Sequence, residues 1–262
     1  MKKQRIHAAL PWIIPAAVLS GWFLASENGI IPGYLMPHPA EVAATAYLYI
    51  FGEPGQSPYA ARFLPDAWAS LVRIGAGFSI AASAGVPLGL MSGRLSLVHK
   101  LLSTTINGLR AVPGITWLPL AMVWFGIGMK TTVFLVAMAA FFPVYLNTAS
   151  GAARVSPKLL QAGAMMGVGR LRGIFVILIP GAIPDIITGL RLGLGISWAY
   201  LVLGELTGVS RGLGAVIMDA RMIGRIDVIV VGIIIIAGMG RISDLMLKQA
   251  LKLTLKSAAR IT

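Results

Sequence analysis

Six long apolar stretches are spaced along the chain, with short polar or Pro/Gly-rich connectors between them. They run approximately from Ala9 to Ser26, Ser70 to Ser92, Ile106 to Gly126, Thr131 to Ser150, Ile183 to Leu206 and Asp227 to Leu247. Each comes close to the roughly 20 residues that a helix needs to cross a hydrocarbon core about 30 Å thick. The last is the least uniform: its purely apolar part, Val228 to Gly240, is short, and Arg241 and Asp244 must either snorkel or pair one turn apart. The pattern predicts an all-α polytopic membrane protein of about six transmembrane helices, organised as one domain over 1–262. Within it, 1–69 holds the first span and an external Pro-rich loop, 70–247 a five-helix core and 248–262 a basic tail. In the loop, Pro39 to Phe51 reads as a short interfacial helix with proline in its first turn.

Finer periodicities say how the spans meet. Gly77, Ala81, Gly85, Gly89 and Gly93 recur every fourth residue of the second span, a small-residue stripe that lets a neighbouring backbone approach closely. In the fifth span Gly189, Gly193, Ser197 and Gly204 share one face, and Arg191, Trp198 and Glu205 fall on the opposite one. Pro113, Gly114 and Pro119 predict a kink or local unwinding in the third span, because proline cannot donate to the preceding turn. The tail repeats Lys248, Lys252, Lys256 and Arg260 against Leu247, Leu251, Leu255 and Ala258, the pattern of a basic amphipathic helix resting on anionic headgroups.

Composition agrees: 57% hydrophobic, 12% charged, mean hydropathy +0.83. A net charge of +13 would suggest nucleic acid in a soluble protein, but here it has to be read by location. With the N-terminus inside, the segments 1–8, 93–105, 151–172 and 248–262 carry 13 of the 22 Lys and Arg and no Asp or Glu. That asymmetry places both termini in the cytoplasm. A signal peptide is the alternative for the first 25 residues, although no clean small-x-small cleavage site follows. The chain has no cysteine, no G-x-x-x-x-G-K-[ST] loop and no H-E-x-x-H pattern, and His7, His38 and His99 are widely scattered. Neither catalytic residues nor metal ligands are expected, and no nucleic-acid partner.

The segment Leu160 to Pro180 adds the functional signal. Ser156 followed by Pro157 is an N-cap then N1 arrangement, and Gly167 is placed to end the helix so begun. Leu159, Leu160, Gly163 and Met166 are available for burial, and Ala162, Gly163 and Ala164 permit close approach by another protein. Gln161-Ala162-Gly163, then Gly167, then Ile177-Leu178-Ile179-Pro180 resembles the EAA loop of ABC importer permeases, with Gln161 standing where that family usually has Glu.

The resemblance extends along most of the chain. Leu35-Met36-Pro37-His38-Pro39, Ser70-Leu71-Val72-Arg73, Leu109-Arg110-Ala111-Val112-Pro113, Trp124-Phe125-Gly126-Ile127-Gly128, Phe142-Pro143-Val144-Tyr145-Leu146-Asn147 and Thr188-Gly189-Leu190-Arg191 look like permeases of the aliphatic sulfonate, taurine and nitrate importers. The resemblance implies a type I ABC importer core in the bacterial inner membrane, with Pro157, Leu160, Gln161, Ala162, Gly163, Gly167 and Pro180 forming a cytoplasmic coupling helix and its exit. It also implies a second permease copy, as a homodimer, two ATPase subunits inside and a solute-binding protein outside. No cofactor is expected in this chain: ATP and Mg belong to the partner ATPase.

Charges at membrane depth cost at least about 2.5–3.5 kcal/mol each, so they default to a pathway or a buried pair. Arg191, near the midplane, either lines the translocation path and favours an anion, or is tied to a carbonyl or to a carboxylate such as Asp185 or Glu205. Arg110 and Pro113 through Trp117 to Trp124, with Asn147, Trp198 and Glu205, are the further candidates for the path. The competing reading of the aromatics is helix-interface filling; Arg73 and Arg110, close to span ends, read as snorkelling anchors. The alternative function is a stand-alone ion-coupled carrier. Such carriers often hold acidic groups near the midplane and show repeat symmetry, whereas Asp185 and Glu205 lie near helix ends.

Overall fold

This computed structural model describes residues 2–254, with side chains from 10 to 252. In chain order its helices are α1 (Lys2–Glu27), α2 (Pro39–Phe51), α3 (Phe63–Arg94), α4 (Ser96–Ala111), α5 (Trp117–Phe125), α6 (Met129–Arg154), α7 (Pro157–Met165), α8 (Arg170–Gly173), α9 (Ile179–Glu205), α10 (Leu213–Met222) and α11 (Ile226–Thr254). A 3₁₀ turn, Gly114–Thr116, precedes α5, and a π-helical turn, Ile174–Leu178, joins α8 to α9.

Among the described residues, five helical stretches are long and apolar enough to cross a membrane: Leu10–Glu27, Phe63–Arg94, Met129–Arg154, Arg170–Glu205 and Ile226–Lys252. The expected third span is instead a pair, Ser96–Ala111 and Gly114–Phe125, bent by 81°. Val112, restricted by the proline that follows, is extended (φ −76°, ψ 120°), and the helix cannot continue through it. Pro119, by contrast, falls in the first turn of α5, where its missing N–H breaks nothing.

The described residues form two compact units. The first takes the chain up to Asp66 together with Val216–Ile235. Its core is Val42 and Tyr49 of α2 with Tyr59, Val216, Ala220, Val228 and Val231, so α2 covers the first turns of α11. Thr45 Oγ1 donates to Asp227 at 2.7 Å, and Arg225 forks onto the same carboxylate at 2.9 and 2.6 Å. That hydrogen bond pushes the Arg225 pKa above its ordinary value.

The second unit takes Ala67–Ala215 together with the chain from Ile236 on, and its centre is α6 held between α3 and α9. The glycine stripe of α3 faces α6: a Cβ on Gly77 would come within 2.6 Å of Val136 Cγ1, and one on Gly89 within 2.7 Å of Thr148 Cβ. From the other side, a Cβ on Gly189 would meet Asn147 Cβ at 2.9 Å, and one on Gly204 would meet Thr132 at the same distance. Both stripes legible in the sequence therefore serve backbone-to-backbone packing on one central helix. Of the predicted basic tail, Lys248 and Lys252 lie on α11; Lys256, Arg260, Leu255 and Ala258 lie outside the described residues.

Candidate coupling helix and translocation cavity

Helix α7 starts and stops for local reasons. Ser156 Oγ accepts from the Lys158 amide at 3.3 Å, and Pro157 occupies the first turn, where it has no hydrogen bond to lose. At the other end Gly167 has φ +83°, Gly167 N donates to Ala164 O at 3.0 Å and Val168 N to Gly163 O at 2.9 Å. This is a Schellman closure, and it needs a residue free to adopt the left-handed region. The helix lies on the exit toward α9: a Cβ on Gly163 would be 2.5 Å from Ile177 Cδ1, and one on Gly173 would be 3.7 Å from Leu160 Cδ2. Gly163 is buried and Leu160 half-buried, while Gln161 and Ala162 are exposed. Of the four residues expected to be available for burial, Leu159 (58% exposed) and Met166 (85%) stay out, as does Met165 (90%). Pro180 sits in the first turn of α9, directly after the π-helical turn.

At the base of this segment Arg154 pairs with Asp185, and a Cβ on Gly151 would meet the Asp185 Cβ at 2.6 Å. The C-terminal end of α6 is thereby tied to α9 just before α7 begins.

Among the described residues of the second unit, two neighbouring cavities bear on transport. One, of about 400 Å³, has Arg110, Gly114, Phe142, Asn147, Ile196 and Tyr200 among its walls. Arg110 comes from the last turn of α4, and Asn147 is oriented by its Nδ2 donating to Pro143 O at 2.8 Å. The Tyr200 ring lies against Gly114, in the space a Cβ there would take. The other cavity, about 480 Å³, has Ser92, Arg94, His99, Lys100, Ser103 and Tyr145 among its walls and shares Leu146 with the first.

The remaining path candidates lie elsewhere. Trp117 is half-buried at the start of α5, and Trp124 stands edge-on to Phe125 and Phe134, 54% exposed. Pro113 sets the α4–α5 break. Arg191 does find a carboxylate, but it is Asp244, in a two-bond fork at 2.8 and 2.9 Å; Asp185 and Glu205 have other arginines. Beside it Trp198 Nε1 donates to Ser243 Oγ at 2.9 Å. Glu205 is fully buried: it accepts from Ser70 Oγ at 2.8 and 2.9 Å, Arg73 Nη1 at 2.7 Å and Gly214 N at 2.8 Å. It thus caps the N-terminus of α10, where unpaired amides and the helix dipole favour a negative charge. Arg73, expected to snorkel, is 8% exposed and inside this node, also donating to Arg211 O at 2.7 Å. Desolvation makes a lone arginine there costly, and Glu205 offsets it.

A family model for the binding-protein-dependent transport system inner membrane component matches residues 85–250. The chain belongs to that family. As a multi-pass permease it is 33% identical to SsuC of Escherichia coli (strain K12), assigned as an aliphatic sulfonates transport permease protein, over 93% of this chain and 89% of the relative. It is also 33% identical to the taurine transport system permease protein TauC of the same organism, over 85% of this chain and 80% of TauC. The fold is that of an inward-facing form of the MetNI methionine ABC transporter, with TM-score 0.58 at 18% identity, covering 71% of this permease and 95% of that chain. The comparisons thus bear out an ABC permease with a type I importer fold.

Sequence reasoning missed Arg94, His99 and Lys100 as cavity residues. The signal available was a segment, 93–105, with basic residues and no acid, but it was absorbed by the reading of membrane orientation.

Proposed function

We propose that this permease carries a small anion, a sulfonate such as taurine or an inorganic oxyanion such as nitrate, through the cavity walled by Arg110 and Asn147. The observation that carries the reading is a charge balance. The second unit contains three carboxylates, Asp185, Glu205 and Asp244, and each is paired with an arginine: Arg154, Arg73 and Arg191. Arg110 has no carboxylate within ion-pair distance among the described residues. Its charge is left for a mobile anion.

Transport is driven from outside the chain. The proposed assembly is a homodimer of permeases in the bacterial inner membrane with both termini cytoplasmic, two ATPase subunits holding ATP and Mg, and an external solute-binding protein. The exposed side of α7, with Leu159, Gln161 and Met165, is the surface offered to the ATPase. The packed side, Leu160 and Gly163, hands its displacement to Ile177 and the foot of α9. Closure of the ATPases then switches the spans between inward-open and outward-open.

The test is uptake into proteoliposomes holding the permease, its ATPase and the binding protein. Labelled taurine, ethanesulfonate or nitrate should accumulate only with ATP, and Arg110→Gln should reduce uptake about tenfold or more while Arg110→Lys retains most of it. Accumulation without an ATPase, or equal uptake by Arg110→Gln, refutes the proposal.

A further inference from the structure

The second cavity, with Arg94, His99 and Lys100 in its walls, belongs to no role assigned so far. It is bounded by the C-terminal end of α3, most of α4 and the C-terminal half of α6. We infer that this cavity is a second anion-binding station, downstream of the Arg110 cavity, that takes a small oxyanion headgroup before release; it rests on the reading of the Arg110 cavity as the path.

Three observations bear on it. Its walls bring two permanent cations and an imidazole together with no carboxylate among them. The three carboxylates of the same unit are each tied to other arginines, so none is left to neutralise Arg94 and Lys100. Lys100 has no ion-pair partner among the described residues, and Arg94 reaches only the Val155 carbonyl, at 3.4 Å.

The second observation is a ready supply of donors. Tyr145 O–H donates to Ser92 Oγ at 2.7 Å, and Ser92 lies 3.4 Å from His99 Nδ1. Ser92 is thus a hydroxyl shared between the Tyr145 phenol and the His99 ring at the cavity wall. Lys100, His99 and the Ser103 hydroxyl each add to this wall a donor suited to an oxyanion's oxygens.

The third is continuity and size. Leu146 lines both cavities and both draw on α4 and α6, so the two are neighbours along the same pair of helices. At about 480 Å³, with Ser96, His99, Lys100 and Asn107 all exposed, the space is wide and open for a small sulfonate. Such a site keeps much of the ligand's water and binds weakly, as a station that must also let go requires.

The chain contains no cysteine, so Ser103→Cys introduces a unique thiol into this cavity. In the full-length permease in lipid nanodiscs, the rates of labelling by a sulfonate-bearing and by a trimethylammonium-bearing methanethiosulfonate are compared, each normalised to a free thiol. The expected anion-to-cation rate ratio is about tenfold or more above the free thiol, from two cations at close range. Lys100→Gln should bring the ratio back most of the way, and ethanesulfonate should slow the anionic reagent. A ratio equal to the free thiol, or no protection by ethanesulfonate, overturns the station. If that happens while ATP-driven uptake remains sensitive to Arg110, only the station falls. A high, Lys100-dependent ratio in a protein whose uptake ignores Arg110 supports anion binding here and removes the path reading instead.

Discussion

Glu205 is where one atom should matter most to stability. Its carboxylate is fully buried, accepts from three donors, Ser70, Arg73 and Gly214, and faces Arg73, itself 8% exposed. Replacement by Gln preserves shape but turns one acceptor oxygen into a donor. Either the Arg73 guanidinium or the Gly214 amide then loses its partner, and a hydrogen bond to a charged group is worth about 1.5–3 kcal/mol. The larger effect is electrostatic: Arg73 keeps the Arg211 carbonyl but no counter-charge, and breaking a buried pair from one side costs about 3–5 kcal/mol. Glu205→Gln should therefore destabilise by about 3–5 kcal/mol. Arg73→Met should cost a similar amount, and the double variant much less than the sum, because it leaves no unpaired charge. Equilibrium unfolding of the purified chain in mixed micelles titrated with SDS measures all three. A Glu205→Gln variant within 0.5 kcal/mol of the parent, or strictly additive single variants, would refute the reasoning.

The Arg191–Asp244 fork is half open to its surroundings, so either Arg191→Gln or Asp244→Asn should cost only about 1–2 kcal/mol, and exchanging the two residues should recover most of it. Because Arg191 is absent from both cavity walls, Arg191→Gln should leave the preference among anions unchanged in the uptake assay; a changed preference would return Arg191 to the path. At Gly163 the obstacle to a Cβ is the tip of the flexible Ile177 side chain, so Gly163→Ala should be tolerated. Gly163→Leu overfills the contact, at about 1–3 kcal/mol, and should sever ATP hydrolysis from uptake in proteoliposomes; unimpaired coupled uptake would count against α7 as the lever.

What the sequence made legible was periodic or local. The α2 boundaries, the start of α7 at Ser156-Pro157, its stop at Gly167 and the glycine stripe of α3 are each specified within a few residues, and each stands in the structure as read. The partners of the charges were not legible. Periodicity says that Arg191, Trp198 and Glu205 share a side of α9, but not that one meets Asp244 and another Arg73, 53 and 132 residues away. Arg73 illustrates the reason: near a span end a long cation can either snorkel or be buried, and only the position of Glu205 in space decides. The π-helical turn at Ile174–Leu178 also left no trace, since an extra residue in one turn changes neither hydropathy nor composition.

The placement of soft and stiff elements bears on how coupling reaches the cavity. The glycine stripes of α3 and α9 bring their backbones close against Val136, Thr148 and Asn147 of α6, a tight packing that resists sliding of these helices past one another. Arg154 and Asp185 add a polar tie at the end of α6 from which α7 hangs. Two places lack such constraint. One is the π-helical turn, where Ile179 N reaches back to Ile174 O and a shift by one residue can be absorbed by rewinding. The other is the 81° break at Val112 and Pro113, where the backbone ladder is already interrupted. Arg110 and Gly114 flank that break and form part of the cavity wall. If α7 is the lever proposed above, a push on Gly163 would pass through Ile177 into the foot of α9, and the bent α4–α5 arm would be the element that changes its angle. On the proposed coupling, the charge that attracts the anion rides on the arm that moves, so exposure of Arg110 changes with the ATPase cycle without any rearrangement of the packed core.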